Sequence, residues 1–290
     1  MTDEVRWYLL TKKKAEAAIC EAFRRFREYQ IEPILIKGWA AARNYPPDKT
    51  RFFGDIDLAV SAHDYDAAEA LVNRRDSPVS GVDLHRELRH LDTVEWDSLF
   101  ANSEVVRIDD EFVRVLSAED HLRVLCSHWL TNGGESRERL WDIVYAIQNR
   151  PAAFDWAKCL DVVSVARRSW VIGTIGLAHK YLDLDLTGLP IAEEARRVPD
   201  WLTRAVEKSW ASETKLRGID ESITKPGLFL KQIGKRLPPN AIQATVFCEG
   251  IIDDGSRVGY QLRDIFGRSL PSIRRFVRAV SDQYRWRKTK

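Results

Sequence analysis

Two aspartates separated by one apolar residue, Asp55 and Asp57, lie where a strand is predicted to begin. Side chains alternate along a strand, so both carboxylates are expected on one face while Ile56 and Leu58 face the interior. Two like charges this close repel each other unless a cation lies between them. Hard divalent cations such as Mg²⁺ are bound by carboxylate oxygens together with substrate phosphates. The pair therefore predicts a site for a metal ion and a triphosphate.

A phosphate-binding turn is predicted just upstream of these acids. The apolar run 32–37 has strand character and ends at Gly38, after which the composition becomes helical. A glycine lets phosphate approach the backbone, and a helix N-terminus offers unpaired N–H groups. Lys37 and Arg51 are candidate phosphate partners, although Lys37 could equally extend along the surface and Arg51 could pair with a surface acid. The predicted nucleotide-binding residues are Lys37, Gly38, Trp39, Arg51 and Gly54.

The order of these residues resembles the polymerase-beta-type nucleotidyltransferase superfamily, in which a small residue after a strand and a short helix precede Asp-x-Asp on the next strand. The string Lys37-Gly38, Tyr45-Pro46, Arg51 and Gly54-Asp55-Ile56-Asp57-Leu58 looks like a bacterial branch of mostly uncharacterised nucleotidyltransferases. Part of it is also similar to aminoglycoside nucleotidyltransferases. The resemblance covers roughly residues 30–150 and depends on the joint order of the motifs.

The resemblance implies a third carboxylate on a later strand. Asp83, in Val82-Asp83-Leu84-His85, fits that position, although Gly81-Val-Asp could also be a plain turn into a strand. His85 follows on the same strand face, where it could orient the acceptor, act as a base, or simply be hydrogen-bonded at the rim of the site. The segment from Ala118 to His128 and then Trp141-Asp142-Ile143 is similar to the helical region that follows the catalytic sheet in the family.

The activity implied by the resemblance is a transferase reaction of the EC 2.7.7 type. Asp55, Asp57 and Asp83 would hold two Mg²⁺ ions, with Mn²⁺ as an alternative, and a nucleoside triphosphate would be the nucleotide substrate. An acceptor oxygen would attack the α-phosphorus, and pyrophosphate would leave. The acceptor is expected to be a small molecule or a peptide or protein, with RNA as an alternative.

Two other functions are compatible with the same residues. One is a non-catalytic nucleotide-binding regulator or toxin–antitoxin component, which the presence of all three acids disfavours. The other is an RNA- or tRNA-end nucleotidyltransferase, which depends on a basic C-terminal stretch with interleaved aromatic residues. A solvated face of a terminal helix explains that stretch better. Its residues are Arg268, Arg274, Arg275, Arg278, Arg285, Arg287, Lys288 and Lys290, and Lys225, Lys231, Lys235 and Arg236 add to the basic side.

The predicted fold is α+β, with a small mixed β-sheet nucleotidyltransferase core flanked by helices and followed by a largely α-helical C-terminal half. We expect a catalytic domain at 1–116, which includes the N-terminal helix, and a helical domain at 117–290 that forms the acceptor-side wall of the cleft. The predicted strands are 32–37, 55–61 and 82–87, with a hairpin over 105–115. The predicted helices are 3–29, 39–45, 63–74, 118–130, 136–149, 155–170, 171–183, 191–197, 199–216, 221–236, 240–252, 256–266 and 270–286.

Composition limits the class of protein. A chain of 290 residues with 44% hydrophobic content can bury a full core, and a net charge of +2 does not by itself imply a polyanionic partner. The four cysteines form no C-x-x-C pair, and His121 and His128 fit a packed helix better than a zinc site. No apolar run approaches the ~20 residues that span a bilayer, and the charged N-terminus lacks the apolar centre of a signal peptide. We therefore expect no membrane association and a cytoplasmic location.

Overall fold

A five-stranded mixed sheet with flanking helices forms the N-terminal part of the chain, and helices form the rest, so the predicted α+β class is confirmed. The computed structural model describes residues 3–74, 79, 81–212 and 238–267. The strands are β1 (Ile34–Leu35), β2 (Ile56–Val60), β3 (Val82–Arg86), β4 (Glu104–Ile108) and β5 (Glu111–Val115).

Helices flank the sheet and then make up the C-terminal half. Those around the sheet are α1 (Asp3–Glu28), α2 (Trp39–Ala42), α3 (Tyr65–Val72) and α4 (Trp96–Asn102). Those after the sheet are α5 (Ala118–Thr131), α6 (Leu140–Gln148), α7 (Trp156–Leu160), α8 (Val165–Leu182), α9 (Ala192–Arg196), α10 (Asp200–Trp210) and α11 (Ala241–Phe247), and residues 258–267 are also helical. Among the residues described, no helix is both long and apolar enough to cross a membrane.

The strand order is β3-β2-β1-β5-β4. Strand β2 pairs antiparallel with β1 and parallel with β3, and β5 pairs parallel with β1 and antiparallel with β4. In the β2–β3 register, Asp57 lies opposite Asp83 and Ala59 lies opposite His85. Because opposed residues on neighbouring strands project to the same face, this register brings two separate acidic motifs together.

Both faces of β2 are covered, which explains why all five of its residues are buried. Leu58 and Val60 belong to a cluster with the buried face of α1, including Phe23 and Phe26. Ala59 belongs to a second cluster, which contains residues of α4 and α5. The Asp57 face of the strand is therefore the face that the helical half approaches.

The helical half has a core of its own around α8. Trp129 and Trp170 are almost completely buried in it. Ser117 caps α5, since its side chain accepts a hydrogen bond from the backbone N–H of Asp120. That cap directs α5 from the end of the sheet across the Asp57 face.

Several predicted boundaries were wrong. The break between the predicted helices 155–170 and 171–183 lies instead at 161–164, because Asp155 caps α7 and Ser164 caps α8. Helix α4 was not predicted, and the predicted strand 32–37 contains only two ladder residues. The predicted hairpin over 105–115 is confirmed, and its turn lies at Asp109-Asp110. Predicted helices 221–236 and 270–286, and the basic C-terminal stretch, lie outside the described residues.

Candidate active site

Asp57, Asp83 and His85 converge at the β2–β3 pair. The Nε2 atom of His85 lies 3.5 Å from Oδ1 of Asp57 and 3.4 Å from Oδ2 of Asp83. One ligand atom from each of the three residues lies within 4.8 Å of the other two. Asp57 is buried, whereas the Asp83 side chain is 62% exposed, so the group opens from the sheet toward solvent.

Asp55 lies beside this group and not within it. The strand begins at Ile56, so Asp55 is the exposed residue immediately before the ladder. The sequence placed Asp55, Asp57 and Asp83 in one triad, whereas the structure puts His85 together with Asp57 and Asp83. Asp55 nevertheless lines the same cavity as both aspartates.

Lys37 supplies the positive charge nearest to Asp57. Its Nζ atom lies 2.6 Å from Oδ1 of Asp57, and both side chains are almost completely buried. Burial by itself would raise the pKa of Asp57, but the hydrogen bonds from His85 and Lys37 together lower it below its ordinary value. The Asp57 carboxylate is therefore ionised at neutral pH and already has a cationic partner.

The predicted turn at Gly38 has a backbone that favours glycine. Its φ is +53°, and a Cβ atom there would lie 3.1 Å from the carbonyl oxygen of Asp55. The helix that follows has only four residues, so the predicted helix 39–45 and its N-terminal dipole are smaller than expected. The Trp39 indole donates to Glu16, and Trp39 is not among the residues that line the cavity.

Arg51 connects this turn to the helical half. It donates from Nε and Nη2 to the two carboxylate oxygens of Asp142, over 2.6 and 2.7 Å, and from Nη1 to the carbonyl of Gly38 over 2.9 Å. Tyr45 donates to the same Asp142 carboxylate over 2.7 Å, and burial, followed by Asp142, raises the pKa of Tyr45. Arg51 is therefore paired with an acid. The alternative given above was a surface acid, whereas Asp142 is buried in α6.

A cavity of about 540 Å³ lies between the sheet and the helices. Of the predicted site residues, it is lined by Lys37, Gly38, Arg51, Gly54, Asp55, Asp57 and Asp83. The helical half contributes the other wall, chiefly through His128, Asn132, Glu135, Ser136, Arg139 and Gln243.

Sequence reasoning missed these helical residues as cavity-lining groups. It assigned His128 to a packed helix, but in the structure His128 lines the cavity together with Leu125, Trp129 and Asn132. The spacing of these four residues, three, four and seven positions from the first, defines one helix face. That periodicity was the available signal, and it could not by itself distinguish a cavity wall from a packed core.

His128 is a neutral side chain in this wall. Burial, and after it the nearby charge of Lys37, lower its pKa to about 4. The Nδ2 atom of Asn132 lies 3.1 Å from Nε2 of His128 and also donates to the His128 carbonyl. Because the amide is oriented by that carbonyl, Nε2 accepts the hydrogen bond and the ring proton resides on Nδ1.

Comparison with known protein families gives one match. Residues 2–78 match the model of a family described as an uncharacterised nucleotidyltransferase. The matched span runs from α1 through α3 and contains Lys37, Gly38, Arg51, Asp55 and Asp57. It ends before Asp83 and the helical half. No curated protein sequence matches the chain.

The match supports a nucleotidyltransferase family for residues 2–78, and with it a transferase of the EC 2.7.7 kind. A protein of this kind would bind a nucleotide substrate. The match does not support the aminoglycoside branch in particular.

Proposed function

We propose that this protein is a metal-dependent nucleotidyltransferase that moves a nucleoside monophosphate from a nucleoside triphosphate to a hydroxyl acceptor and releases pyrophosphate. The observation that carries the proposal is the β2–β3 register, which sets Asp57 opposite Asp83 at the edge of a two-walled cavity. The family match over residues 2–78 supports the same class of reaction.

The donor set fits a divalent cation. Asp57 and Asp83 offer carboxylate oxygens close enough to share one ion, and the oxygen ligands suit Mg²⁺ and Mn²⁺. Asp55 lines the same cavity and is our candidate ligand for a second ion. Bound there, divalent ions would neutralise charge on the triphosphate and on the entering and leaving oxygens.

The protein's own groups would prepare the acceptor. Asp83 is the exposed acid of the group, so an incoming hydroxyl can reach it, and its carboxylate would accept the hydroxyl proton. His85 lies between Asp83 and Asp57 and would hold the Asp83 carboxylate in place by a hydrogen bond. This arrangement supports a base role for Asp83 and an orienting role for His85.

The nucleotide and the acceptor would contact opposite walls of the cavity. Gly38 and Lys37 would contact the triphosphate from the sheet side, and the uncharged polar side chains of His128, Asn132 and Gln243 would contact the acceptor from the helical side. Neutral hydrogen-bonding groups suit a hydroxyl-bearing small molecule or a peptide side chain. The polar groups of the described wall therefore support a small molecule or a peptide as acceptor.

The decisive test is transfer of label. The full chain is incubated with each of the four α-labelled nucleoside triphosphates, Mg²⁺ or Mn²⁺ and a cell extract, and labelled products are separated by size and nuclease sensitivity. Asp57→Asn and Asp83→Asn should abolish labelling, whereas Asp110→Asn, in the exposed β4–β5 turn, should not change it. Nucleotide binding without any labelled product would favour the regulator instead, and nuclease-sensitive product would favour RNA as acceptor.

A further inference from the structure

Three cationic side chains line the cavity, and two of them are already paired. Lys37 lies 2.6 Å from Asp57, and Arg51 forms two hydrogen bonds with Asp142. Both acids line the cavity as well, so these four charges balance within the site. Arg139 is the third cation, and it forms no ion pair with any residue that the structure describes.

Arg139 is also held at a defined place relative to the Gly38 turn. It immediately precedes α6, and Asp142 lies three residues further on in the first turn of that helix. Arg51 joins Asp142 to the carbonyl of Gly38. A short chain of hydrogen bonds therefore ties the start of α6 to the turn where phosphate is expected. The charge of Arg139 also acts within the cavity, since it contributes to the lowered pKa of His128 after burial and Lys37.

We propose that Arg139 binds the β- and γ-phosphates of the nucleoside triphosphate; this inference rests on the proposed nucleotidyltransferase function. A guanidinium presents paired N–H donors that match two phosphate oxygens, and its charge is not consumed by a protein carboxylate. The triphosphate would then lie between Gly38 of the sheet and Arg139 of the helical half. Sequence reasoning had assigned every phosphate contact to residues before β3.

The chain offers a matched control two residues away. Arg137 is exposed like Arg139, but its guanidinium donates to the Tyr181 carbonyl and lies over the Trp210 ring, and it does not line the cavity. Replacing either arginine removes one positive charge from the same segment. A difference in triphosphate affinity between the two variants therefore results from the position of the arginine and not from the change in net charge.

The experiment measures dissociation constants of the full chain for each nucleoside triphosphate, and for inorganic tripolyphosphate, in the presence of Mg²⁺. Arg139→Gln should raise the constant for the preferred triphosphate and for tripolyphosphate by about 10- to 100-fold, as expected for a lost charge-assisted hydrogen bond. Arg139→Lys should give a smaller rise, and Arg137→Gln should stay within about twofold of wild type. Melting curves without ligand verify that the variants fold. If Arg139→Gln does not fold, the triphosphate affinity of Arg139→Lys still tests the inference.

Two results would overturn the inference in distinguishable ways. If the wild-type chain binds Mg²⁺ and triphosphate but Arg139→Gln binds equally well, Arg139 is not a phosphate ligand and the proposed function stands. If the wild-type chain binds neither triphosphate nor tripolyphosphate, the proposed function fails and the inference fails with it.

Discussion

The Nζ atom of Lys37 and the Oδ1 atom of Asp57 form a buried ion pair over 2.6 Å. The acid that we propose as a metal ligand therefore has a protein-supplied cation in the absence of metal. Sequence reasoning expected unrelieved repulsion among the acids, but at Asp57 the structure shows attraction instead. This changes what substitutions at the site should do to stability.

Lys37→Met should destabilise the protein by about 3–5 kcal/mol, because Asp57 would be left as a buried charge without its closest partner. Asp57→Asn should also destabilise it, because it leaves the Lys37 ammonium unpaired. The double variant should be more stable than the sum of the two single effects implies. Urea unfolding of the four proteins in a double-mutant cycle measures this coupling, and additive effects would mean that the pair does not form in solution.

Asp83→Asn should leave the metal-free protein within about 0.5 kcal/mol of wild type, because the side chain is largely exposed. The same variant should lose most of the rise in melting temperature that Mg²⁺ and the preferred triphosphate give the wild type. Thermal melting with and without these ligands checks both statements, with Asp110→Asn as the control. An undiminished ligand-induced rise would exclude Asp83 from the metal site.

Arg51→Lys should destabilise the protein by about 1–3 kcal/mol, since a lysine cannot reach both Asp142 oxygens and the Gly38 carbonyl together. We also expect weaker triphosphate binding, because the turn and α6 would no longer be joined. Urea unfolding and binding measurements on Arg51→Lys test this. Arg150→Lys, whose guanidinium donates to a backbone carbonyl at the end of α6, should change triphosphate affinity little.

Acid should weaken the fold through His128. Its folded-state pKa of about 4 lies below the ordinary value of 6.5, so the unfolded chain binds more protons between these two values. Stability contributed by the neutral ring is therefore fully present above about pH 6.5 and is lost progressively down to about pH 4, with an upper bound on the order of 3 kcal/mol. His128→Gln should flatten this part of the stability–pH profile, and an unchanged slope would contradict the burial of the ring.

Gly38→Ala should cost about 1–3 kcal/mol, because alanine is strained at a φ of +53° and its Cβ would crowd the Asp55 carbonyl. Gly188 offers a matched control, since its φ is +75° but a Cβ there meets no atom within 4 Å. The difference in unfolding free energy between the two variants, measured by urea unfolding, isolates the crowding at the Gly38 turn. Equal costs would mean that only backbone strain matters there.

The parts of the site that sequence predicted well are those built by local pattern. Asp57 and Asp83 each lie on a short strand whose apolar neighbours define its buried face, and the resemblance supplied their order. The ion pair of Arg51 with Asp142 joins residues 91 positions apart, and no local rule specifies such a partner. The sequence therefore predicted Arg51 as a site residue and missed what it binds.

A predicted helix boundary was wrong where a capping residue, and not the apolar periodicity, determines the start of a helix. The apolar spacing across 155–183 continues through Ser164, but its hydroxyl cap starts a new helix there. Helix α4 was missed although Trp96, Leu99 and Phe100 have helical spacing and pack in or against one core cluster, because seven residues give only a single repeat of that pattern. Asp55 lies just before β2, which begins one residue later than predicted, and His85 lies near Asp57 and Asp83 because of the pairing of β2 with β3.

Hydrogen bonds link Gly38, Arg51 and Asp142 across the predicted domain boundary at residue 116. The chain is therefore poorly suited to being cut there into two separate domains. Ala41 of α2 packs in the core of the helical half, and Tyr45 packs against it. A fragment ending at residue 116 would expose that apolar surface and leave the Arg51 guanidinium without its carboxylate. The Gly38 turn and the helical half should thus unfold in one cooperative transition, and the sheet should not fold on its own as a truncated fragment.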